Sequence, residues 1–131
     1  MEIENLFMKF SVDGKCLLPD TTLAFKDIPW TKHKTWEGVA LKHLITSKET
    51  EGQFSFHLVR IEPYKAISKH VHEKQIETHE VIAGSGICIN NDTELTYEPG
   101  VISIMRMNVP HEVVAGSDGL YLFAKFMPAL V

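Results

Sequence analysis

Short runs of β-forming residues recur along most of this chain, and they constrain its fold more than any other feature. The runs are rich in Val, Ile, Phe, Tyr and Thr, and Gly, Pro, Asn or Asp separates each from the next. This pattern is typical of short strands joined by tight turns. The runs read "LFMKFSV", "FSFHLVRI", "HEVIAG", "GICIN", "ELTYE", "VISIM", "HEVVA" and "LYLFAKFM". They predict an all-β protein, built as an antiparallel sandwich or barrel.

Hairpin turns are predicted at two places in the second half of the chain. In "ICINNDTELTY", Asn91 and Asp92 lie between β-forming runs, and both residue types tolerate the positive φ of a tight hairpin. In "HEVVAGSDGLYLFAKF", Gly116 to Gly119 occupy the equivalent place. We therefore expect the chain to reverse direction at both.

The stretch "KHVHEKQIETHEVIAGSG", residues 69–86, concentrates imidazole and carboxylate groups beside an apolar run. Its first part contains good helix formers, but Ile76 is the only residue that could begin an apolar stripe there. The β-branched run that follows at once also argues against a helix. We predict two strand segments joined by a turn near "EKQ".

A strand conformation brings the polar side chains of this stretch together. Side chains two residues apart lie on one face, about 6.5–7 Å apart, so His70 and His72 share a face. On the next segment, Glu77 and His79 share a face with Val81 and Ala83. That face is the apolar one, and it brings a carboxylate towards the two imidazoles.

Two motifs in this region resemble those of the cupin superfamily. His70-x-His72, then Glu77 and, after six intervening residues, Gly84 are similar to the first cupin motif. "PGVISIMRMNVPH", Pro99 to His111, is similar to the second, and the motifs occur in the family's order around a hairpin. The resemblance implies a metal bound by His70, His72, Glu77 and His111.

The second motif departs from the family pattern at two positions. Asn108 stands where the family usually has Gly, and Asn is the residue besides Gly that best tolerates left-handed backbone. Val101 replaces an aspartate that often follows the Pro-Gly pair. We expect the turn to persist and the ligands to keep their places.

The resemblance also implies an architecture for the whole chain. We expect one cupin domain over residues 1–131, a double-stranded β-helix or jelly-roll barrel with an N-terminal extension packed on it. Residues 1–50 would supply an arm and strands, and residues 50–128 the core barrel. Small cupins often pair, so we also expect a homodimer that uses residues 1 to about 50.

The strand pattern also indicates where other polar residues should lie. His79 should point inward with Glu77, as a catalytic acid or base, a substrate contact or a replacement ligand. We interpret His33, His43 and His57 as packed or exposed residues without a role in catalysis. The strand phase leaves open whether further side chains face the pocket: Arg60, Tyr97, Met105 and Met107.

Composition excludes several other classes of protein. The formal charge of −4 and the scattered Lys and Arg argue against a nucleic-acid partner. Cys16 and Cys88 lie far apart outside any CxxC pair, so we expect neither a disulfide framework nor a thiolate metal site. No signal sequence or long apolar segment is evident, and we expect a cytoplasmic protein without membrane contact.

The function expected from these features is metal-dependent chemistry on a small molecule. Nitrogen and carboxylate donors suit one divalent transition metal, Fe, Mn, Ni or Zn, and do not choose among them. We expect an enzyme of dioxygenase, isomerase or lyase type. The alternatives are a non-catalytic metal- or small-molecule-binding or sensing cupin, and a sugar-binding or structural cupin whose metal only stabilises the barrel.

Overall fold

The computed structural model describes the backbone of residues 3–131 and the side chains of residues 6–131. Antiparallel strands dominate this part of the chain. The strands are β1 (Lys15–Leu17), β2 (Thr22–Ala24), β3 (Thr31–Lys32), β4 (Val39–Ile45), β5 (Ser55–Ile61), β6 (Ala66–His70), β7 (Ile76–Asn90), β8 (Thr93–Tyr97), β9 (Ile102–Met105) and β10 (His111–Met127). The helices are short: α1 (Ile3–Met8), a π-helical turn (Lys9–Asp13), a 3-10 turn (Phe25–Asp27) and α2 (Ser47–Thr50).

Two long strands, β7 and β10, organise the barrel. They pair with each other along almost their whole length. The first half of β10 also pairs with β6 and its second half with β5, while β7 pairs with β9 near its start and with β8 near its end. Each long strand therefore runs through both layers of a closed jelly roll, which confirms the predicted all-β barrel.

The predicted strand breaks at "AGSG" and "GSDG" are wrong. "HEVIAG" and "GICIN" form one strand, β7, and "HEVVA" and "LYLFAKFM" form one strand, β10. Instead of a hairpin, the pairing register shifts between Ala115 and Leu120. Gly84 has φ +79°, and a Cβ there would lie 2.0 Å from the carbonyl oxygen of Gly119. The glycines bend two paired strands around the barrel, so they do not reverse the chain.

Other predicted turns are present. Asn91 and Asp92 have φ of 50° and 66° and connect β7 to β8 as a tight hairpin. Asn108 has φ +64°, so it takes the left-handed conformation expected at the family's glycine position. Its N–H donates to the carbonyl of His72 at 2.9 Å, which ties the turn before β10 to the segment after β6.

The predicted strand "LFMKFSV" is wrong, because these residues are helical in α1 and the π-helical turn. Phe7 and Ser11, one helical turn apart, are both buried. Phe7 packs on Tyr121 with ring centroids 5.1 Å apart, and Phe10 packs on Phe123 at 4.9 Å. Contact with the outside of the barrel overrides a local pattern that is too short to distinguish strand from helix.

Two apolar cores result from this arrangement. One fills the barrel and includes Val59, Val81, Leu122 and Phe126. The other lies between the outer face of the barrel and the N-terminal extension, and includes Phe7, Phe25, Leu44 and Leu58. The extension therefore packs on the barrel, as predicted. No helix in the described part of the chain reaches the length and apolarity that a membrane crossing requires.

Candidate metal centre

Three neighbouring strands, and the segment that follows the first of them, place the four predicted ligands at one end of the barrel. His70 ends β6, His72 follows it, Glu77 lies near the start of β7, and His111 begins β10. His111 is the register partner of His70. The antiparallel pairing of β10 with β6 and β7 is what brings residues distant in sequence to one point.

The donor atoms of these four residues form one compact group. One nitrogen or oxygen from each lies within 4.8 Å of all the others. Nε2 of His70 is 3.2 Å from Nε2 of His72. Glu77 Oε1 is 3.3 Å from His72 Nε2 and 3.2 Å from His111 Nε2. The structure thus brings His70, His72, Glu77 and His111 together.

Backbone carbonyls orient two of the imidazoles. Nδ1 of His70 donates to the carbonyl of Ser68 at 2.8 Å, and Nδ1 of His111 donates to that of Val109 at 3.0 Å. Because a carbonyl outside the group holds Nδ1 of each ring, Nε2 of each ring points into the group. This is the arrangement in which protein histidines bind metals, their other nitrogen being held by an outer acceptor. Nitrogen and carboxylate donors so placed suit a divalent transition metal.

Comparison with known proteins supports the fold. No protein-family model matches the sequence, and no curated protein is a detectable relative. Among solved structures, a predicted oxalate decarboxylase from Thermotoga maritima is 17% identical, with a TM-score of 0.71 over 78% of this chain and 94% of that one. An RmlC-like cupin from Shewanella frigidimarina is 14% identical, with a TM-score of 0.69 over 80% and 87%.

This chain has the cupin fold. A third similar structure, the oxalate decarboxylase of Bacillus subtilis, is 18% identical with a TM-score of 0.70, and the match covers 82% of this chain and 29% of that one. The Bacillus subtilis enzyme has Mn(II) centres. These likenesses confirm the resemblance that the two motifs indicated.

The carboxylate of this cupin barrel is held in its charged form. Burial alone would raise the pKa of Glu77, but electrostatic attraction to His79 and hydrogen bonds from His111, His72 and His79 outweigh it. The pKa of Glu77 is therefore held well below its ordinary value. Burial lowers the pKa of His70, which favours the neutral imidazole that a metal requires.

His79 lies behind the carboxylate, and both of its nitrogens are engaged. Its Nε2 donates to Glu77 Oε2 at 2.8 Å, and its Nδ1 accepts from the hydroxyl of Tyr97 at 2.9 Å. Burial raises the pKa of Tyr97, so its hydroxyl keeps its proton. These contacts orient Glu77 so that Oε1 faces the other ligands. The sequence pattern placed His79 beside Glu77 but left the orientation of Tyr97 open.

The donor group opens into a small cavity of about 140 Å³ inside the cupin barrel. Most of its wall is apolar, and the part of the wall that the structure describes contains no Lys or Arg. Apolar lining is contributed mainly by Val39, Leu41, Val59, Ile67, Ala124 and Phe126. The cavity therefore combines an apolar body with one polar end.

Trp36 covers this cavity, and no sequence pattern had assigned it to the site. Its ring lies 4.9 Å from that of His70 and stacks on His33 at 4.1 Å, measured between centroids. His33 Nδ1 accepts from the N–H groups of Thr35 and Trp36, which holds the turn in place. The sequence around Trp36 contains no motif that predicts this contact, because the turn before β4 and strand β6 are distant in the chain.

The remaining candidates for pocket residues differ in burial. Met105 is buried, whereas Arg60 and Met107 are exposed. His57 faces the barrel interior, where it is fully buried and bonds His43 Nδ1 at 2.8 Å and Ser55 Oγ at 2.7 Å. Both histidines are thus packed residues outside the ligand group.

Proposed function

We propose that this chain is a divalent-metal-dependent enzyme that acts on a small organic molecule inside its barrel. The observation that carries the proposal is the convergence of four donors, one of them a buried carboxylate held in its charged form, at the polar end of a cavity. Four protein donors leave coordination positions open on an octahedral ion. A substrate or water in the cavity would have access to a metal held by these donors.

The native metal is proposed as Fe(II), Mn(II), Ni(II) or Zn(II), because all accept imidazole and carboxylate donors. Manganese is the first to try, since a structurally similar protein has Mn(II) centres. When bound, the ion would supply Lewis acidity towards a substrate oxygen or a bound water. His70, His72, Glu77 and His111 would hold it.

The chain's own residues contribute positioning and exclusion of water. His79 and Tyr97 fix the carboxylate of Glu77 through consecutive hydrogen bonds. His79 also holds a proton at Nε2, beside the donor group. Trp36 shields the group from bulk solvent at the cavity mouth.

The cavity indicates the class of substrate. It is smaller than the roughly 300–1,000 Å³ of typical pockets for drug-sized ligands. Its wall is mainly apolar, and no cation in the described part of the chain is placed to neutralise a second acidic group. We infer a small, largely apolar substrate with oxygen donors at one end, such as a short-chain keto acid or a β-diketone. A sugar, with hydroxyls all round, matches this wall poorly.

The decisive experiment reconstitutes metal-free protein separately with Fe(II), Mn(II), Ni(II) and Zn(II). Each form is assayed for oxygen uptake and for turnover of 2-ketobutyrate, acetylacetone and, as a polar comparison, ribose. Multiple turnovers on an apolar keto compound, lost in His111→Ala, support the proposal. Saturable binding without turnover by any metal form would instead assign the protein to the non-catalytic binding class.

We also propose a homodimer. The sequence analysis expected residues 1 to about 50 to form its contact surface, and the outer face of β9 is a second candidate surface. Ile102 and Ile104 project from the outer face of β9 and are 68% and 57% exposed. Exposed aliphatic residues side by side on a strand are a feature of association surfaces. Light scattering should give twice the mass of one chain, and a monomer at micromolar concentration would refute this proposal.

A further inference from the structure

A second and larger cleft lies outside the barrel, beneath the N-terminal extension. Its volume is about 580 Å³, within the usual range of roughly 300–1,000 Å³ for small-molecule pockets. Its floor is the outer face of β4, β5 and β10, from which Lys42, Arg60 and Tyr121 project. Residues adjacent to these in sequence, Leu41, Val59 and Leu122, face the barrel interior. Alternation along the strands therefore separates the cleft from the metal cavity.

Flat aromatic side chains form much of the cleft wall. Phe7 stacks on Trp30 with ring centroids 6.0 Å apart and meets Tyr121 edge-on at 5.1 Å. Ile28 and Pro29 extend the apolar surface. A flat apolar ring or a short alkyl chain matches such a wall better than a hydrated polar group does.

The charges in this cleft are all of one sign among the residues described. Lys26, Lys42 and Arg60 line it, and no described Asp or Glu does. Arg60 lies over the ring of Trp30, 4.2 Å from its centroid, which fixes the guanidinium at the edge of the apolar wall. The cleft is thus apolar and positive at once.

Lys42 is the most informative of the three cations. Its side chain is only 3% exposed, and its ammonium donates to the carbonyl of Ser11. No carboxylate of residues 6–131 lies within 4.0 Å of it. An ammonium has three donors, and burying one without an anion is unfavourable. Lys42 lines the cleft together with Lys26 and Arg60.

We propose that this cleft binds a monocarboxylate with a flat apolar body. The carboxylate would accept hydrogen bonds from Lys42 and Lys26, and the body would lie against Trp30 and Phe7. This inference does not depend on the proposed metal chemistry, because the two sites occupy opposite faces of the same strands. The ligand would also hold the N-terminal extension on the barrel, since Phe7 and Ser11 belong to that extension.

The test is calorimetric titration of the full chain with 2-naphthoate and with the neutral, isosteric 2-naphthamide. We expect 2-naphthoate to bind and the amide to bind on the order of tenfold more weakly, since a charge-assisted hydrogen bond is lost. Lys42→Met should weaken 2-naphthoate binding by a similar factor, and Lys26→Met by a smaller one. Lys48→Met removes an exposed lysine outside the cleft and should leave affinity unchanged.

A carboxylate can also bind a metal, so the titration is repeated on metal-free His111→Ala. Retained affinity there, together with loss in Lys42→Met, places the ligand in the outer cleft. The proposal is overturned if 2-naphthoate does not bind, if the amide binds equally well, or if His111→Ala abolishes binding. Should Lys42→Met fail to fold, exposed Lys26 decides: wild-type affinity in Lys26→Met counts against the site.

Discussion

The inner cavity and the outer cleft lie on opposite faces of β4, β5 and β10, yet their chemistry differs. The inner face combines imidazoles with one buried carboxylate in a space of about 140 Å³. The outer face has three cations and aromatic rings around about 580 Å³, without a carboxylate among the described residues that line it. The inner cavity is therefore suited to binding a cation, and the outer cleft is suited to binding an anion.

This difference shows how a single sheet carries two independent sites. The period of two along a strand assigns neighbouring residues to opposite environments, so Val59 and Arg60 never meet the same ligand. Changes on one face should therefore leave the other nearly unaffected, and substitutions on either face can test that separation.

The largest effect is expected from removing a ligand. His111→Ala should reduce metal affinity more than about 100-fold, because even outer-shell partners of metal ligands contribute about 10–100-fold. Metal content after dialysis against a weak chelator, measured by elemental analysis, checks this. His43→Ala, which removes an imidazole outside the ligand group and leaves all four donors, is the control. Wild-type metal content in His111→Ala would show that the group does not bind the ion.

The next effect concerns pH and the buried pair His57 and His43. Burial, with the charge of His43 in support and that of Glu77 opposing, lowers the pKa of His57 from 6.5 to about 4. As pH falls below 6.5, the unfolded chain takes up this proton before the folded chain does, so stability decreases until about pH 4. At pH 5 the loss should be about 2 kcal/mol relative to pH 7.

Urea unfolding at pH 7 and pH 5 measures this loss. His57→Gln stays neutral at both pH values and retains a partner for Ser55, so its stability should fall by about 2 kcal/mol less than that of the wild type over the same interval. Equal falls in the two proteins would show that His57 does not titrate abnormally in the folded state.

A smaller effect is expected from the support behind the carboxylate. Tyr97→Phe deletes only the hydroxyl that donates to His79, so Glu77 should be less firmly oriented and metal affinity should fall about tenfold. Competition with a chromophoric chelator measures the affinity. Phe56→Leu, on the outer face, serves as a packing control, and equal loss in both variants would attribute the effect to general loosening.

The smallest effect tests whether the two faces of the sheet are energetically independent. Lys42→Met alters the outer cleft alone, and metal affinity should stay within about twofold of the wild type because Lys42 faces away from the donor group. The same competition assay provides the value. A tenfold change would mean that the two faces are energetically coupled, and their independence would have to be abandoned.

Local sequence patterns predicted the features that depend on a few neighbouring residues. Asn91, Asp92 and Asn108 adopt positive φ because their side chains tolerate it, and this holds in any fold that places a turn there. The alternation that puts Glu77 and His79 on one face is equally local. Grouping His111 with ligands some 35 residues earlier needed more than local pattern, and the resemblance to cupins supplied it.

Features that depend on contacts between distant segments of the chain were predicted wrongly or not predicted at all. The residues of "LFMKFSV" are helical because Phe7 and Phe10 meet aromatic side chains of β10. Gly84 and Gly119 bend paired strands, which a turn-like composition alone cannot distinguish from a hairpin. Trp36 contacts His70 only because the pairing of β4 within the sheet places the preceding turn above the cavity.

The donor types, their alternation along β7 and the turns that precede β8 and β10 could be predicted from the amino-acid sequence, because they follow from side-chain chemistry and backbone sterics within a few residues. Tertiary structure alone decided which side of the sheet each charge faces and how far apart the donors lie. It also decided what covers them. Those quantities depend on strand register and on packing between segments distant in the chain, where burial, not local conformational preference, supplies most of the free energy.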